Sequence, residues 1–286
     1  MCPLCGSSSG RLGTRARSLD LEECTRCGLV FHTGFSSAAE LTAYYSHYYS
    51  ADNLAFSPTN DARFNDLLTS FETYRQTGRV LDVGCGAGQF LKVALSRGWD
   101  AHGTEIASGA LEHLSRLGIK HFAGELQAAR YPAGSFDVVY CSEVIEHAPN
   151  PGGLLGEICR IVRQDGLVYL TTPNYNSLTR RLAGSSWRIF STEHICYFTP
   201  TTLVGAMRGI GFTTVQSTTR NLDLNELRRV FRRGRSSPAT SFQHAPTEQL
   251  REALDRSRVL SLGKRGLNWL LALTSSGDTI VVRARK

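Results

Sequence analysis

Short apolar runs alternate with stretches of helical periodicity from about residue 79 onward. The first pair is the run RVLDVG (79–84) and the stretch GQFLKVALSRG (88–98), in which apolar positions recur every three or four residues. Such runs predict buried strands, and such stretches predict amphipathic helices. Their regular alternation over short connections predicts an α/β fold: a Rossmann-like, mostly parallel sheet with helices on both faces.

The alternation continues to about residue 173, breaks, and resumes near residue 200. A helix predicted over 152–166 is closed by Gly166, and Thr199 followed by Pro200 marks the start of another helix over 201–211. The connection 174–199 has no clear period, which is typical of a lid or a binding segment. Seven strands are predicted in all: 79–84, 99–105, 120–125, 135–143, 167–173, 212–219 and 278–285.

Four of the eight cysteines form two CxxC pairs near the N-terminus. The pairs CPLC and CTRC are separated by 18 residues and contribute Cys2, Cys5, Cys24 and Cys27. Two such turns can complete a tetrahedral thiolate site, so the pattern predicts structural zinc in a zinc ribbon, with His32 as an alternative ligand. The other four cysteines stand singly among apolar residues, as buried cysteines do in a reducing compartment.

Positive charge is concentrated late in the chain. Residues 220–266 carry 11 Lys and Arg against 5 Asp and Glu, which accounts for most of the net charge of +7. Such a segment attracts anionic substrates, anionic membrane surfaces or nucleic acids. The stretch GLNWLLAL (266–273), flanked by Lys264 and Arg265, is too short to span a bilayer but could lie in its interface.

These patterns divide the chain into five segments. No run reaches the roughly 18 apolar residues of a membrane-spanning helix, and no basic-then-apolar leader opens the sequence. We therefore expect a cytoplasmic protein, with contact to the inner face of the membrane as an open alternative. The segments are the zinc ribbon (1–35), a helical lead-in (36–78), the sheet-forming core (79–219), a basic helical cap (220–276) and the final core strand (277–286).

The glycine-rich turn after the first strand indicates a nucleotide site. Gly84, Gly86 and Gly88 are spaced GxGxG, so the GxGxxG spacing of dinucleotide-binding folds fails, and no P-loop lysine follows. The second strand ends in Glu105, where a carboxylate can accept hydrogen bonds from ribose hydroxyls, and the third ends at Glu125. Ligands of open α/β sheets lie at this carboxyl edge.

As a set, these stretches resemble the successive motifs of class I S-adenosylmethionine-dependent methyltransferases. The resemblance rests on VLDVGCGAGQF, the acid of GTEIA, the GE turn at 124–125, FDVVYCSEVIEHAPNP and QDGLVYLTTPN, and it extends from about residue 79 to residue 212. The CxxC pairs and EHICYFTPTTL (193–203) further resemble a bacterial branch with an N-terminal zinc ribbon. Members of that branch often modify sugars, lipid-linked saccharides or natural products.

The resemblance implies S-adenosylmethionine as the cofactor and assigns its contacts. The glycine turn would hold the methionine part, the second strand the ribose and the third strand the adenine, while the fourth would end beside the sulfonium. Glu125 departs from the Asp of many members, which lengthens the reach of the side chain. The implied cofactor-binding residues are Asp82, Gly84, Gly86 and Gly88 (methionine part), Glu105 (ribose), Ile106, Glu125 and Leu126 (adenine) and Ser142 (sulfonium).

Methyl transfer to a hydroxyl requires a base on the acceptor side. His147 follows the fourth strand in EVIEH, and His194 lies in the long connection after the fifth strand, so these are the two candidate catalytic residues. Alternatively, His147 orients its loop and His194 packs in a lid. Glu143 and Glu146 would stabilise the loop or bind the acceptor. Three aromatic residues of the connection would pack in the core or form an apolar wall: Trp187, Tyr197 and Phe198.

The predicted activity is transfer of a methyl group to a small or lipid-linked acceptor, with a saccharide or natural-product hydroxyl as the expected target. Three alternatives stay open. The zinc ribbon could contact RNA, although no aromatic-and-basic nucleic-acid signature accompanies it. The methyl group could instead go to a carbon or nitrogen of a sugar. Finally, the fold could serve as a non-catalytic binding module. The intact glycine turn and the two acids Glu105 and Glu125 argue against this alternative.

Overall fold

A small antiparallel sheet opens the chain. The computed structural model describes residues 1–8, 10–12, 16–17, 19–34, 54–232 and 258–286. The small sheet contains β1 (Gly10–Leu12), β2 (Leu21–Cys24) and β3 (Val30–His32), and β3 pairs with the distant strand β9 (Cys196–Tyr197). The sequence pattern assigns no element to residues 196–197, so this pairing between the N-terminal segment and the long connection is a new finding.

The main sheet has seven strands, which confirms the predicted fold class. Its strands are β4 (Arg79–Val83), β5 (Asp100–Glu105), β6 (Lys120–Ala123), β7 (Phe136–Ser142), β8 (Val162–Pro173), β10 (Thr214–Arg220) and β11 (Thr279–Arg285). Their spatial order is β10–β11–β8–β7–β4–β5–β6. Of these seven strands, β11 runs opposite to the other six, so the carboxyl ends of β4 to β8 meet at one edge.

Helices cover both faces of the main sheet. Consecutive strand residues point to opposite faces, and accordingly Val80 belongs to one buried cluster while Leu81 belongs to the other. Thr199 caps its helix by accepting a hydrogen bond from the Thr202 N–H at 3.1 Å, as the sequence predicts. The helices are α1 (Pro58–Phe71), α2 (Gln89–Ser96), α3 (Ser108–Arg116), α4 (Pro151–Ile161), α5 (Leu178–Ala183), α6 (Pro200–Ile210), α7 (Leu224–Phe231) and α8 (Arg258–Leu273).

The helix predicted over 152–166 is wrong in its last turn. Helix α4 ends at Ile161, and β8 begins at the next residue, where Val162 pairs with Phe136 across an irregular register. Asp165 has a φ of 60°, which breaks a helix. Strand pairing and the burial of the β-branched Val162 therefore outweigh the local helical pattern.

Helices α7 and α8 lie between β10 and β11, where the sequence predicts a helical insertion before the last strand. Of the predicted lead-in and cap, residues 36–53 and 233–257 lie outside the described residues. Within the part of the chain that the structure describes, no helix combines the length and apolarity needed to cross a bilayer.

A buried carboxylate anchors the amino end of β7. Asp137 is fully buried, and its Oδ2 atom accepts hydrogen bonds at 2.7–2.9 Å from the backbone N–H groups of residues 76–78. Its Oδ1 atom accepts a hydrogen bond from Arg163 Nε at 2.7 Å. Burial alone would raise the pKa of Asp137, but Arg163 and the three N–H donors hold this pKa below its usual value.

Candidate active site

The glycine turn lies between β4 and α2 at the carboxyl edge of the sheet. Gly84 and Gly88 have φ values of 67° and 80°. A β-carbon on Gly84 would lie 2.6 Å from Val144 Cγ2, and one on Gly88 would lie 2.4 Å from Leu114 Cδ2. Neither position has room for a side chain, so the turn packs tightly against its neighbours and offers mainly backbone to a ligand.

An open cavity of about 200 Å³ lies beside this turn, at the ends of β4 and β7. Ligand pockets are typically about 300–1,000 Å³, so this cavity encloses only part of a nucleotide-sized ligand. Four of the predicted cofactor residues line it: Asp82, Gly84, Gly88 and Ser142. The rest of the lining consists of Arg63, Phe64, Cys85, Ala87, Gln89, Phe90 and Tyr140.

Two of these lining residues bring chemistry that the sequence analysis missed. Arg63 is an exposed cation on α1 and the one basic residue of that helix, which was the usable signal for it. Tyr140 stacks on Phe90, with ring centroids 4.4 Å apart and an interplanar angle of 20°. The period-two alternation of β7 was a usable signal for Tyr140, since it places residues 140 and 142 on one face.

Glu105 binds the glycine turn directly. Its Oε2 atom accepts a hydrogen bond from the Gly86 N–H at 2.8 Å. Its Oε1 atom accepts hydrogen bonds from the N–H groups of Ile106 and Ala107 at 2.7 and 2.8 Å. The side chain is only 6% exposed. These donors fix the carboxylate at the end of β5, while its predicted contact with a ribose stays a prediction.

The predicted adenine contacts lie at the edge of the sheet, outside the cavity lining. The Gly124 N–H donates a hydrogen bond to the Glu105 carbonyl at 2.8 Å, which keeps the ends of β5 and β6 together. Glu125 is exposed at the start of a 3₁₀ turn (Leu126–Ala129), Leu126 is buried, and Ile106 is half-buried. The structure therefore brings Ile106 and Glu125 to one corner but leaves their role in adenine binding a prediction.

Acidic groups make this edge attractive to a cation. Asp82 is buried beside the cavity, and burial together with the nearby Glu105 carboxylate raises the pKa of Asp82 well above its usual value. A positively charged ligand would relieve both effects, because it compensates for lost solvation and offsets the repulsion between the two acids.

Ser142 belongs to a hydrogen-bonded relay at the end of β7. Its Oγ atom lies 2.8 Å from Thr171 Oγ1, which donates a hydrogen bond to Glu143 Oε1 at 2.9 Å. Glu143 has a φ of 55°, an uncommon conformation for a residue with a side chain. Backbone strain of this kind persists where the surroundings hold it, and it clusters at functional sites.

Glu146 lies deeper, in the 3₁₀ turn Ile145–His147. It is 2% exposed, and its Oε2 atom accepts a hydrogen bond from Thr172 Oγ1 at 2.9 Å. Burial raises the pKa of Glu146, and the Glu143 carboxylate raises it further. The sequence analysis assigns these acids to loop stabilisation or acceptor binding; Glu146 is buried, whereas Glu143 is exposed at the end of the relay.

The structure brings the two predicted catalytic histidines together. The ring centroids of His147 and His194 are 4.6 Å apart. His147 Nδ1 lies 2.9 Å from the Glu193 carbonyl, and His194 Nδ1 lies 2.6 Å from the Ile189 carbonyl. Burial and then the neighbouring His194 lower the pKa of His147 to about 3, and burial lowers the pKa of His194. Both rings are therefore neutral near pH 7.

The aromatic residues of the long connection are core residues. Trp187 and Tyr197 are buried in a cluster that also contains Leu21 and Val30 of the N-terminal segment. Phe198 is fully buried in the main core. Packing is therefore their role in the structure, and they do not form an exposed wall.

The four N-terminal cysteines converge. Their Sγ atoms all lie within 4.8 Å of one another, and the pairs Cys2–Cys27 and Cys5–Cys24 have Sγ–Sγ distances of 3.6 Å. A disulfide requires about 2.05 Å, whereas the edge of a zinc–thiolate tetrahedron with 2.3 Å bonds is about 3.8 Å. His32 is not part of this cluster.

Backbone hydrogen bonds connect the N-terminal segment to the histidine pair. The His32 N–H of β3 donates to the Ile195 carbonyl at 2.9 Å, and the Ile195 N–H donates to the Glu146 carbonyl at 2.8 Å. The small sheet therefore fixes both the segment that carries His194 and the turn that carries His147.

Comparison with known proteins agrees with this geometry. Residues 56–217 match a family model described as a methyltransferase domain. A ubiquinone biosynthesis O-methyltransferase of Aromatoleum aromaticum is 28% identical over 58% of this chain and 76% of its own length. The enzyme of the same name from Burkholderia thailandensis is 32% identical over 43% of this chain, and the match spans 53%, about half, of that relative.

Solved structures share the fold. A SAM-dependent methyltransferase from Archaeoglobus fulgidus superposes with a TM-score of 0.54 at 18% identity, covering 80% of this chain and 93% of its own. Phosphoethanolamine N-methyltransferase 2 of Haemonchus contortus, in complex with S-adenosyl-L-methionine, gives 0.56 at 17% identity, covering 90% of this chain and 61% of its own. At these identities the likeness concerns the fold.

Proposed function

The chain belongs to the methyltransferase domain family and is a class I S-adenosylmethionine-dependent methyltransferase, and we propose that it methylates a hydroxyl group of a small or lipid-linked acceptor. The cationic cofactor suits the acidic carboxyl edge formed by Asp82 and Glu105. In this proposal Asp82 and the glycine turn hold the methionine part, Arg63 pairs with its carboxylate, and Glu105 accepts hydrogen bonds from the ribose. The cofactor supplies an electrophilic methyl group.

The observation that carries the hydroxyl acceptor is the histidine pair. The Nδ1 atoms of His147 and His194 face backbone carbonyls, so each neutral ring keeps its lone pair on Nε2. His147 lies in the turn after β7, whose last residue Ser142 lines the cavity, and His194 contacts His147 from the connection after β8. An acceptor hydroxyl bound between the cavity and the pair could donate a hydrogen bond there. Because the pKa of His147 is lowered to about 3, the proton would transfer only as the new oxygen–carbon bond makes the hydroxyl more acidic. The relatives from two organisms are named as O-methyltransferases, which supports the same acceptor atom.

The acceptor itself is proposed by class: a saccharide or natural-product hydroxyl. The experiment incubates the protein with cofactor carrying a ¹³C-labelled methyl group and with panels of glycosides, phenolic compounds and transfer RNA. NMR of the product identifies the atom that received the label. A methoxy product supports the proposal, and label on nitrogen, carbon or RNA contradicts it. Cofactor binding without product in any panel would favour a binding module.

The histidines are tested by His147→Ala and His194→Ala. Loss of a catalytic base typically lowers turnover about 10²- to 10⁴-fold, while calorimetric affinity for S-adenosylmethionine should stay within a few-fold of wild type. His121→Ala, on β6, is the matched control. Full turnover in both variants would contradict a catalytic role for the pair.

We also propose that the four-cysteine cluster holds structural zinc. Four thiolates leave no open coordination position, so the ion would stabilise the small sheet rather than take part in the reaction. Removal of zinc with a chelator, or Cys24→Ser, should lower the melting temperature and abolish one equivalent of bound zinc. Cys159→Ser, a buried cysteine outside the cluster, is the control. Unchanged zinc content in Cys24→Ser would contradict the site.

Finally, we propose peripheral contact between the helical cap and an anionic lipid surface. Helix α8 exposes Trp269, which is 63% exposed, and Leu273, which is 64% exposed. Helix α7 ends in Phe231, which is 76% exposed, between the exposed cations Arg228 and Arg232. Apolar side chains flanked by positive charge suit the interface of an anionic membrane.

Co-sedimentation with vesicles tests this contact. Binding should be stronger to phosphatidylglycerol–phosphatidylcholine vesicles than to phosphatidylcholine alone, and should weaken with salt. The double variant Trp269→Ser, Leu273→Ser should bind the vesicles less strongly than wild type. Leu117→Ser, at an exposed position of the core outside the cap, should bind as strongly as wild type. Equal binding by all variants would contradict the contact.

A further inference from the structure

A second cavity, of about 340 Å³, lies between the N-terminal segment and the long connection that follows β8. Its volume falls within the range of about 300–1,000 Å³ that is typical of small-ligand pockets. It shares no lining residue with the cavity beside the glycine turn. We call this second cavity the arginine cleft; its polar lining residues are Arg17, Arg188, Ser191, Thr192 and Glu193.

The arginine cleft adjoins the histidine pair. Residues 188 and 190–193 of the long connection form one wall of the cleft. In this segment the Glu193 carbonyl lies 2.9 Å from His147 Nδ1, and the Ile189 carbonyl lies 2.6 Å from His194 Nδ1. A ligand in the cleft would therefore lie against the same segment that supports both proposed catalytic rings.

Arg17 brings positive charge to the cleft from the N-terminal segment. It lies in a tight turn closed by backbone hydrogen bonds at 2.9 and 3.0 Å between Ala16 and Leu19. Its φ of 48° is uncommon for a residue with a side chain, and such strain clusters at functional sites. The exposed guanidinium donates a long hydrogen bond, 3.4 Å, to the Arg188 carbonyl, and it forms no ion pair with a carboxylate of the described residues.

Glu193 brings a carboxylate to the same cleft. Its side chain is half-buried, and the Thr192 hydroxyl donates to Glu193 Oε2 at 3.5 Å. An anionic group of a ligand is attracted by Arg17 and repelled by Glu193. A hydroxyl group, in contrast, can donate a hydrogen bond to the carboxylate. The cleft is therefore polarised, with a cationic part on the N-terminal turn and an acidic part next to the histidine pair.

The basic helix α7 braces the wall of the cleft. The Arg188 N–H donates a hydrogen bond to Glu226 Oε1 at 3.2 Å, and Arg229 Nη2 donates to the Ser186 carbonyl at 2.7 Å. Glu226 and Arg229 belong to α7, which also exposes Arg228. Positive charge concentrated near a cleft raises the local concentration of anionic ligands and speeds their approach. The surroundings of the cleft therefore favour an anion as well.

We propose that the arginine cleft binds an acceptor that carries a phosphate group, with the phosphate beside Arg17 and a hydroxyl-bearing part towards Glu193. This inference rests on the proposed transfer to a hydroxyl, and it adds the substituent by which the acceptor is held. The Arg188 side chain has contacts of its own, so the anion site centres on Arg17.

A phosphate ester suits the cleft better than a carboxylate does. A phosphate monoester has three oxygens that accept hydrogen bonds strongly, whereas a carboxylate has two. Two phosphate oxygens match the planar guanidinium of Arg17, which can donate two parallel hydrogen bonds. The third can accept from Ser191 or Thr192, whose hydroxyls form long hydrogen bonds of 3.4 and 3.5 Å within their own segment.

Binding measurements with simple phosphate esters test the cleft. The probes are glucose 1-phosphate and phenyl phosphate, each compared with its neutral counterpart, glucose or phenol, by ligand-observed NMR. Saturating S-adenosylhomocysteine is present so that the probes cannot enter the cofactor cavity. At least one phosphate should bind at least about tenfold more tightly than its counterpart, because hydrogen bonds to charged groups are the stronger ones. Failure of both phosphates would overturn the proposal, and so would tighter binding of glucuronate and benzoate than of the phosphates.

Variants locate the phosphate. Arg17→Gln should weaken phosphate binding about two- to fivefold, the range expected for an exposed ion pair, and Arg17→Glu should weaken it further. Glu193→Gln should not weaken binding of inorganic phosphate, since the carboxylate repels it. Arg181→Gln, at an exposed position of α5 outside the cleft lining, is the matched control. Equal phosphate affinity in Arg17→Glu and wild type would contradict the proposed position.

The methylation assay separates this inference from the proposed function. Each glycoside and phenolic compound of the panel is supplied with and without a phosphate ester. Arg17→Gln should raise KM for the phosphorylated acceptors and leave kcat, and KM for neutral acceptors, unchanged. Methoxy products from neutral acceptors alone would overturn the role of the cleft and leave the proposed function standing. Phosphate binding that depends on Arg17, with label on nitrogen or carbon, would do the reverse.

Discussion

Acidic residues lie at both ends of strand β7. The two ends differ in their hydrogen bonds, in their backbone conformation and in the direction in which the pKa values are shifted. At the amino end, Asp137 accepts hydrogen bonds from three backbone N–H groups and from Arg163, and its pKa is lowered. Beyond the carboxyl end, Glu143 has a strained backbone, Glu146 has a buried oxygen without a donor, and the pKa of Glu146 is raised.

The difference separates structural acids from functional ones. A carboxylate with all its hydrogen-bonding capacity used stabilises the native state and has nothing left for a ligand. A carboxylate that is buried but incompletely paired is stabilised when a ligand binds that supplies a cation or a hydrogen-bond donor. In strand β5, Asp100 at the start is paired with Lys120. Glu105 at the end accepts three of the roughly four hydrogen bonds that a carboxylate can accept, which leaves one for a ligand.

The largest effect is expected for stability at the amino end. Asp137→Asn leaves Arg163 without its buried partner, which typically costs about 3–5 kcal/mol of unfolding free energy. Chemical denaturation measures this loss, while the activity of the folded fraction should match wild type. The contribution of Asp137 is present above its unfolded pKa and lost as pH falls through its lower folded pKa. The two proteins should therefore converge in stability in strong acid; a constant gap would contradict this assignment.

The next effect concerns the two ends of β5. Glu105→Gln removes a charged hydrogen-bond acceptor from the glycine turn and from the proposed ribose contact, so S-adenosylmethionine should bind about ten- to hundredfold more weakly, as expected for about 1.5–3 kcal/mol. Asp100→Asn, at the other end of the strand, should leave calorimetric affinity unchanged. An equal loss of affinity for S-adenosylmethionine in the two variants would contradict the assignment of a binding role to the carboxyl end of β5 alone.

A smaller effect is expected for Arg63. Because its side chain is exposed, an ion pair with the cofactor carboxylate would contribute at most about 1 kcal/mol. Arg63→Ala should weaken cofactor binding up to about fivefold, and the loss should shrink at high salt. Arg116→Ala, on α3 and outside the cavity lining, is the matched control. A salt-independent loss would point to altered helix packing instead.

The smallest effect is expected for the stability of Glu146→Gln. The amide keeps the hydrogen bond from Thr172 and carries no charge that repels Glu143. Unfolding free energy should therefore stay within about 1 kcal/mol of wild type, in contrast to Asp137→Asn. A loss as large as that of Asp137→Asn would show that Glu146, too, is a structural acid.

The sequence predicted what depends on local pattern. The strand periodicity gave all seven strands of the main sheet, the spacing of the glycines gave the turn, and the CxxC pairs gave the cysteine cluster. The sequence analysis failed where pairing between strands remote in the sequence decides the secondary structure. Val162 joins a strand instead of ending a helix because Phe136 pairs with it, and residues 196–197 become a strand only because β3 is available.

The candidate site shows the same limit. His147 and His194 were both predicted, but their mutual contact depends on a connection whose path no periodicity reveals. Arg63 is the one basic residue of α1, but it reaches the cavity because α1 packs on α2, and the sequence pattern does not reveal that contact. Functional residues at the end of a single strand can be predicted from the sequence. Contacts between functional residues of separate segments cannot.

The pairing of β3 with β9 has a practical consequence for anyone who trims the chain. A fragment that starts at residue 56, where the family match begins, would keep β9 and delete its partner strand. The bare strand edge would invite association between molecules, and the hydrogen bonds through Ile195 would lose their outer support. The family match therefore begins inside a structural unit, because it leaves out the strand that pairs with β9. A fragment made for expression should include the N-terminal strands.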